Sequence, residues 1–228
     1  MDNKMETYLG TDYTGNYIIN FLNYWMKTTK PRKTNDLDCL YKEGNLDADT
    51  IFSFWTPLKF VLDCLNPDEH FYKKDKFGSD PHKFLKKIKE NINTYLPTDE
   101  EVVKKLYEFA KLAETKANVM QWPDGKGSKI QTIRYKDFYD QMPPLLYNCF
   151  SGGSYSYIFN NNNLNLENWI RNQKLQMFFC NNEISQEKIK PLIENIRANE
   201  GKWLTDKNEI IEMLQNYIYI LEERLSQL

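Results

Sequence analysis

The chain has two imidazoles, His70 and His82, twelve positions apart, with Asp68, Glu69, Asp75 and Asp80 close to them in sequence. Nitrogen and carboxylate ligands in that number can be drawn around a divalent cation. Metal-ligand pairs are usually pinned on a helix or a tight loop that fixes their geometry, and this spacing matches no such motif. The stretch reads as a solvated connector, so neither a metal nor another cofactor is expected.

The same two histidines limit nucleophilic catalysis, because a serine or cysteine nucleophile needs a base beside it. No Gly-x-Ser-x-Gly elbow occurs. Cys64 and His70 border one connector and form the thiol–imidazole pair to weigh, although a core cysteine at a helix end is the simpler account. The acidic pairs Asp36 with Asp38 and Asp47 with Asp49 have the residue type for a divalent cation in nucleic-acid cleavage. Their spacing in polar segments suits caps and turns better.

Asp124-Gly125-Lys126-Gly127-Ser128-Lys129 carries the ingredients of a phosphate cradle: glycine amides, lysines and a hydroxyl. It lacks the Gly-x-x-x-x-Gly-Lys-Ser/Thr order and precedes a strand-like run, so no helix dipole would back it. It reads as a hairpin loop. Lys126, Lys129 and Arg134 are still the best local anion-binding candidates. Aromatic residues form 14% of the chain, and Tyr155, Tyr157 and Trp169 are candidates for a stacking surface, with core filling as the plainer role.

These residues must be positioned by helices for the most part. Tyr17, Ile18, Phe21, Leu22 and Trp25 recur at helical spacing, and a second helix runs from a cap at Asp49 through Ile51, Phe52, Trp55, Leu58, Val61 and Leu62 to Leu65. Pro57 should kink that helix or mark its real start. Being apolar nearly all round, it is expected to be the central core helix. A helix opening at Pro81 and carrying Phe84, Leu85, Ile88 and Ile92 should close at Leu96-Pro97. Thr98 and Glu101 have capping-box spacing ahead of a helix through Val102, Val103, Leu106, Phe109, Ala110 and Ala113.

Residues 118–135 suggest a small β-hairpin, with Tyr155, Tyr157 and Phe159 alternating as either a half-buried strand, which could pair with it, or an extended arm. Helices are expected over Leu145 to Phe150, over Leu164 to Gln173, from Ser185 through Ile189, Leu192 and Ile196, and from Asp206 to the end. The last carries Ile210, Leu214, Tyr217, Leu221 and Leu228 in a stripe that Arg224 interrupts. The expected fold is a mainly α, compact multi-helix domain with one small β-hairpin. A single domain fits the length of 228 residues, with a waist near 117–135 allowed.

Hydrophobic residues at 41% and charged residues at 27% argue against global disorder. Thirty basic against 32 acidic side chains leave a formal charge of -2, which does not favour nucleic acid as a partner. The N-terminus lacks the apolar core of a secretory signal, and no run approaches a membrane span, so a cytoplasmic protein without membrane contact is expected. Cys39, Cys64, Cys149 and Cys180 are spread too widely for a disulfide framework and read as reduced thiols. Abundant Asn, Lys, Ile and Tyr over Arg and Gly resembles the coding of AT-rich bacterial genomes and their mobile elements.

No catalytic constellation is recognisable, while several aromatic or apolar helix faces could meet a partner. The leading expectation is therefore a non-catalytic protein-interaction protein that binds a protein partner or itself. The second is an enzyme acting on nucleic acid or a nucleotide, with Lys126, Lys129 and Arg134 on phosphate and Asp124 or Asp137 as acid or base. A toxin or defence factor is the third, on composition alone.

Overall fold

The computed structural model describes residues 51–71, 88, 90–113, 116–118, 142–161, 164–190 and 203–228. The first expected helix, the basic run with Lys126, Lys129 and Arg134, the acidic pairs, Cys39 and His82 lie outside the described residues. So does nearly all of the expected hairpin. Among the described residues the fold is helical, with seven α-helices and short 3-10 turns.

Helix α1, Ile51–Leu65, continues through Pro57. Leu58, Phe60, Val61 and Leu62 are all buried, and this apolar density holds the helix where a proline has withdrawn one N–H from its ladder. Asn66 ends it. Its backbone N–H and side-chain Nδ2 both donate to the Leu62 carbonyl, at 2.9 and 3.0 Å, and Nδ2 also reaches the Tyr95 carbonyl at 3.0 Å. Pro67 then starts a 3-10 turn, Pro67–Glu69, which cannot continue the helix.

The expected helix into Leu96 is interrupted. Ile88 and Glu90 are helical, Asn91 is not, and α2 is the single turn Ile92–Tyr95. Asn91 breaks the run because its backbone, at φ -138, leaves the helical region, and its carbonyl then accepts the N–H groups of Thr94 and Tyr95 to begin a new turn. Helix α3, Glu101–Ala113, follows the expected pattern, with Val102, Val103, Leu106, Tyr107, Phe109 and Ala110 buried. Its N-cap is displaced. The Glu100 carbonyl, not that of Thr98, accepts the first helical N–H groups, from Val103 and Lys104. The Glu100 carboxylate meanwhile pairs with Lys207 on the last helix.

Three short helices come next: α4, Met142–Phe150, α5, Tyr157–Asn161, and α6, Leu166–Asn172. Asn165 caps α6 by accepting the Asn168 N–H at 2.9 Å. The chain then runs through 3-10 turns at Gln176–Phe178, Cys180–Asn182 and Gln186–Lys188. Ser185 therefore does not open an α-helix through Ile189. Ile189 instead forms an isolated antiparallel bridge to Phe179, and the Lys190 N–H reaches the Phe178 carbonyl at 2.8 Å. Burial of Met177, Phe178 and Phe179 drives this hook, because an apolar run docked on a core needs backbone partners wherever it leaves water.

Helix α7, Lys207–Gln227, starts where Asp206 Oδ1 accepts the N–H groups of Asn208 and Glu209 at 2.9 and 3.0 Å. Ile210, Met213, Leu214, Tyr217, Ile218, Ile220 and Leu221 are buried, whereas Leu228 lies outside the stripe and is exposed. Among the described residues this helix, rather than α1, is the most extensively packed. It lies against α3 above all, and against α1 and the turns at Lys116–Asn118 and Gln176–Phe178. Phe109 of α3 meets Tyr217 at a centroid distance of 5.8 Å. At the approach to α7, Trp203 sets its ring edge-on to Phe60 at 4.7 Å and donates from Nε1 to the buried Asp63 at 2.8 Å. No helix among the described residues is long and apolar enough to cross a membrane.

Candidate functional site

The turn between α4 and α5 is built around one side chain, Asn148. Its Oδ1 accepts the Tyr155 N–H at 2.8 Å, while its carbonyl accepts the Gly153 N–H at 2.8 Å and the Ser151 hydroxyl at 3.2 Å. Ser156 closes the loop, donating its N–H and its hydroxyl to the Gly153 carbonyl at 3.0 and 2.8 Å. Gly152 turns the chain at φ +72, the left-handed region that glycine occupies without strain. Gly153 is required for a different reason. A Cβ there would lie 2.4 Å from Asn148 Nδ2.

Tyrosines stand at both ends of this stapled turn. Tyr147 is 56% exposed and Tyr157 38%, while their neighbours Leu145, Leu146, Cys149, Ile158 and Phe159 anchor the frame in the core. A tyrosine has two side-chain rotors, a broad apolar face and one polar end, so a fixed frame lets it contact a partner at low entropic cost. The turn uses its amides internally, which leaves the rings and hydroxyls as the parts offered outward.

The other aromatic candidates are distributed differently. Trp169 is only 8% exposed, and its ring meets Phe159 at 5.4 Å and 67°, so the indole lies against the core instead of forming a stacking surface with Tyr157. Tyr155 is partly buried against the core. The expected strand is corrected as well. Residues 154–156 form a turn and Tyr157–Asn161 a helix, so Tyr157 faces water while Ile158 and Phe159 are both buried. In a strand, Tyr157 and Phe159 would share a face. Asn118, first residue of the expected hairpin, ends the 3-10 turn Lys116–Asn118.

Cys64 lies in the last turn of α1 beside Lys207, Asp206 and Glu100. Burial raises its thiol pKa, an effect Lys207 partly opposes, which leaves less thiolate than an ordinary cysteine carries. Burial pushes Cys149 up to about 12, and Tyr107 likewise to about 12. Cys180 is exposed. Among the described residues no three His, Cys, Asp or Glu side chains are grouped as metal ligands.

In the sequence Arg224 interrupts an apolar stripe, and the structure gives it a defined place. It is 1% exposed. Nε donates to the Gln173 carbonyl at 3.0 Å, and Nη1 donates to the Ala117 carbonyl. Gln173 is the C-cap of α6, and Ala117 belongs to the turn that follows α3, so one guanidinium serves two places where helical carbonyls run out of N–H partners. Burial draws its pKa down to about 9, still well above neutral, so the cation persists at pH 7. A basic residue in register with an apolar stripe was the available signal.

Neither a protein-family model, nor a curated protein, nor a solved structure matches the chain. Its function must therefore be argued from its own residues.

Proposed function

We propose that this protein acts as a non-catalytic binding protein for a protein partner, with the tyrosine turn between α4 and α5 as its contact surface. The observation that carries the reading is the Asn148 staple, which fixes a Gly-Gly turn so that Tyr147 and Tyr157 remain exposed at its two ends. Exposed aromatic side chains on a preorganised frame are the usual anchors of a protein interface, where a few such residues supply most of the affinity. Retrieval from an extract of the source cells, with the wild type and with a Tyr147→Ala/Tyr157→Ala variant as baits, tests this. A partner retained by the wild type and lost by the variant, with unchanged thermal unfolding, is the expected result. An identical retained set, or a wild type that stays monomeric by light scattering and retains nothing, overturns the proposal.

A further inference from the structure

The last helix is secured at its two ends by different means. Its first three turns bury Ile210, Met213, Leu214 and Tyr217 against α3 and α1, an apolar contact flanked at its start by the Glu100–Lys207 ion pair. Its last turn instead carries the buried Arg224, which binds carbonyls 51 and 107 residues away in sequence. We infer that Arg224 is a latch that makes the last turns of α7, the Lys116–Asn118 turn and the C-terminal end of α6 open together, as one unit separate from the α1–α3–α7 core.

The geometry carries the coupling. At Gln173 the chain leaves α6, Lys174 adopts φ 55, and the N–H groups of Gln173 and Leu175 return to the Trp169 and Ile170 carbonyls at 2.9 and 3.0 Å. The Gln173 carbonyl at this reversal is held by Arg224 Nε, so the reversal and the helix turn bearing Arg224 share one bond. The Ala117 carbonyl shares the same side chain through Nη1. When the guanidinium withdraws, both acceptors lose a charged donor at once, which costs more than a neutral hydrogen bond. Loss of either segment likewise leaves a buried cation short of an acceptor, so each stabilises the other. In sequence Asn118 leads directly to the run bearing Lys126, Lys129 and Arg134, so the latch ties the last turn of α7 to the residues that introduce that run.

Amide hydrogen exchange of the full chain tests the latch. In the wild type at increasing sub-denaturing guanidinium, peptides covering 116–118, 173–175 and 221–228 are expected to reach a common opening isotherm before those covering 102–110 and 210–217. Arg224→Met is expected to accelerate exchange about tenfold or more in the first three regions and less than about twofold in the last two. Arg224→Lys, which keeps a cation but loses the guanidinium fork, should fall between them. Separate isotherms for the three regions in the wild type overturn the latch, and this arm needs no variant to fold. Uniform acceleration over all five regions also overturns it, since Arg224 would then serve global stability alone.

Discussion

Along α3 and α7 apolar residues recur every three or four positions and meet through side chains, as Phe109 meets Tyr217. Among the described residues between Met142 and Lys190 no helix exceeds nine residues, and the path is set by individual polar groups: Asn148 on the glycine turn, Asn165 on α6, and the Phe178 carbonyl on Lys190. Long periodic helices spread their stability over many interchangeable contacts. The short elements depend on a few individual hydrogen bonds, and in return they hold side chains such as Tyr147 and Tyr157 out of the core.

Substitutions divide along the same line. Phe109→Ala, in a fully buried position of α3, should cost about 3–5 kcal/mol and show as a lower denaturant midpoint. A loss under about 1 kcal/mol would mean that the α3–α7 contact is not the main apolar seam. Gly153→Ala should cost roughly 1–3 kcal/mol, because the new Cβ must displace the Asn148 side chain and with it the Tyr155 bond. Asn148→Ala should cost about 1 kcal/mol by itself and should make the glycine substitution much cheaper when the two are combined. Additive losses in that double-mutant cycle would separate the glycine from the staple.

The smallest effect concerns alkaline pH. The Cys149 thiol, ordinarily near 9.0, is held up to about 12 in the fold. Between those values the unfolded thiol ionises while the folded one does not, so the unfolded chain binds fewer protons and stability falls as pH rises from about 9. Below about 9 the contribution is fully present. Denaturant titrations at pH 8, 9 and 10 should therefore give a shallower alkaline decline for Cys149→Ala than for the wild type. An equal slope would show that this thiol does not ionise differentially.

Much of the helical framework was legible in the order of residues. Val102, Val103, Leu106, Phe109 and Ala110 define a face whatever else the chain does, Asp206 marks a helix start, and Asn66-Pro67 marks an end. The strand read into Tyr155, Tyr157 and Phe159 failed because alternation over five residues cannot distinguish a strand from a turn running into a helix. Asn148, seven positions before Tyr155, decided the matter. Of the aromatic group, Tyr157 reached the surface, and Trp169 was drawn against Phe159, since a ring's exposure depends on which elements pack beside it.

Arg224 marks the boundary most sharply. Local sequence determined that α7 is a helix and that position 224 lies in register with its buried face, because periodicity is a property of neighbouring residues. That the guanidinium there is a bridge and not a flaw was decided only when the fold brought the carbonyls of Ala117 and Gln173 within its reach. A side chain's partners across 51 and 107 residues depend on how the chain closes, which no local pattern encodes.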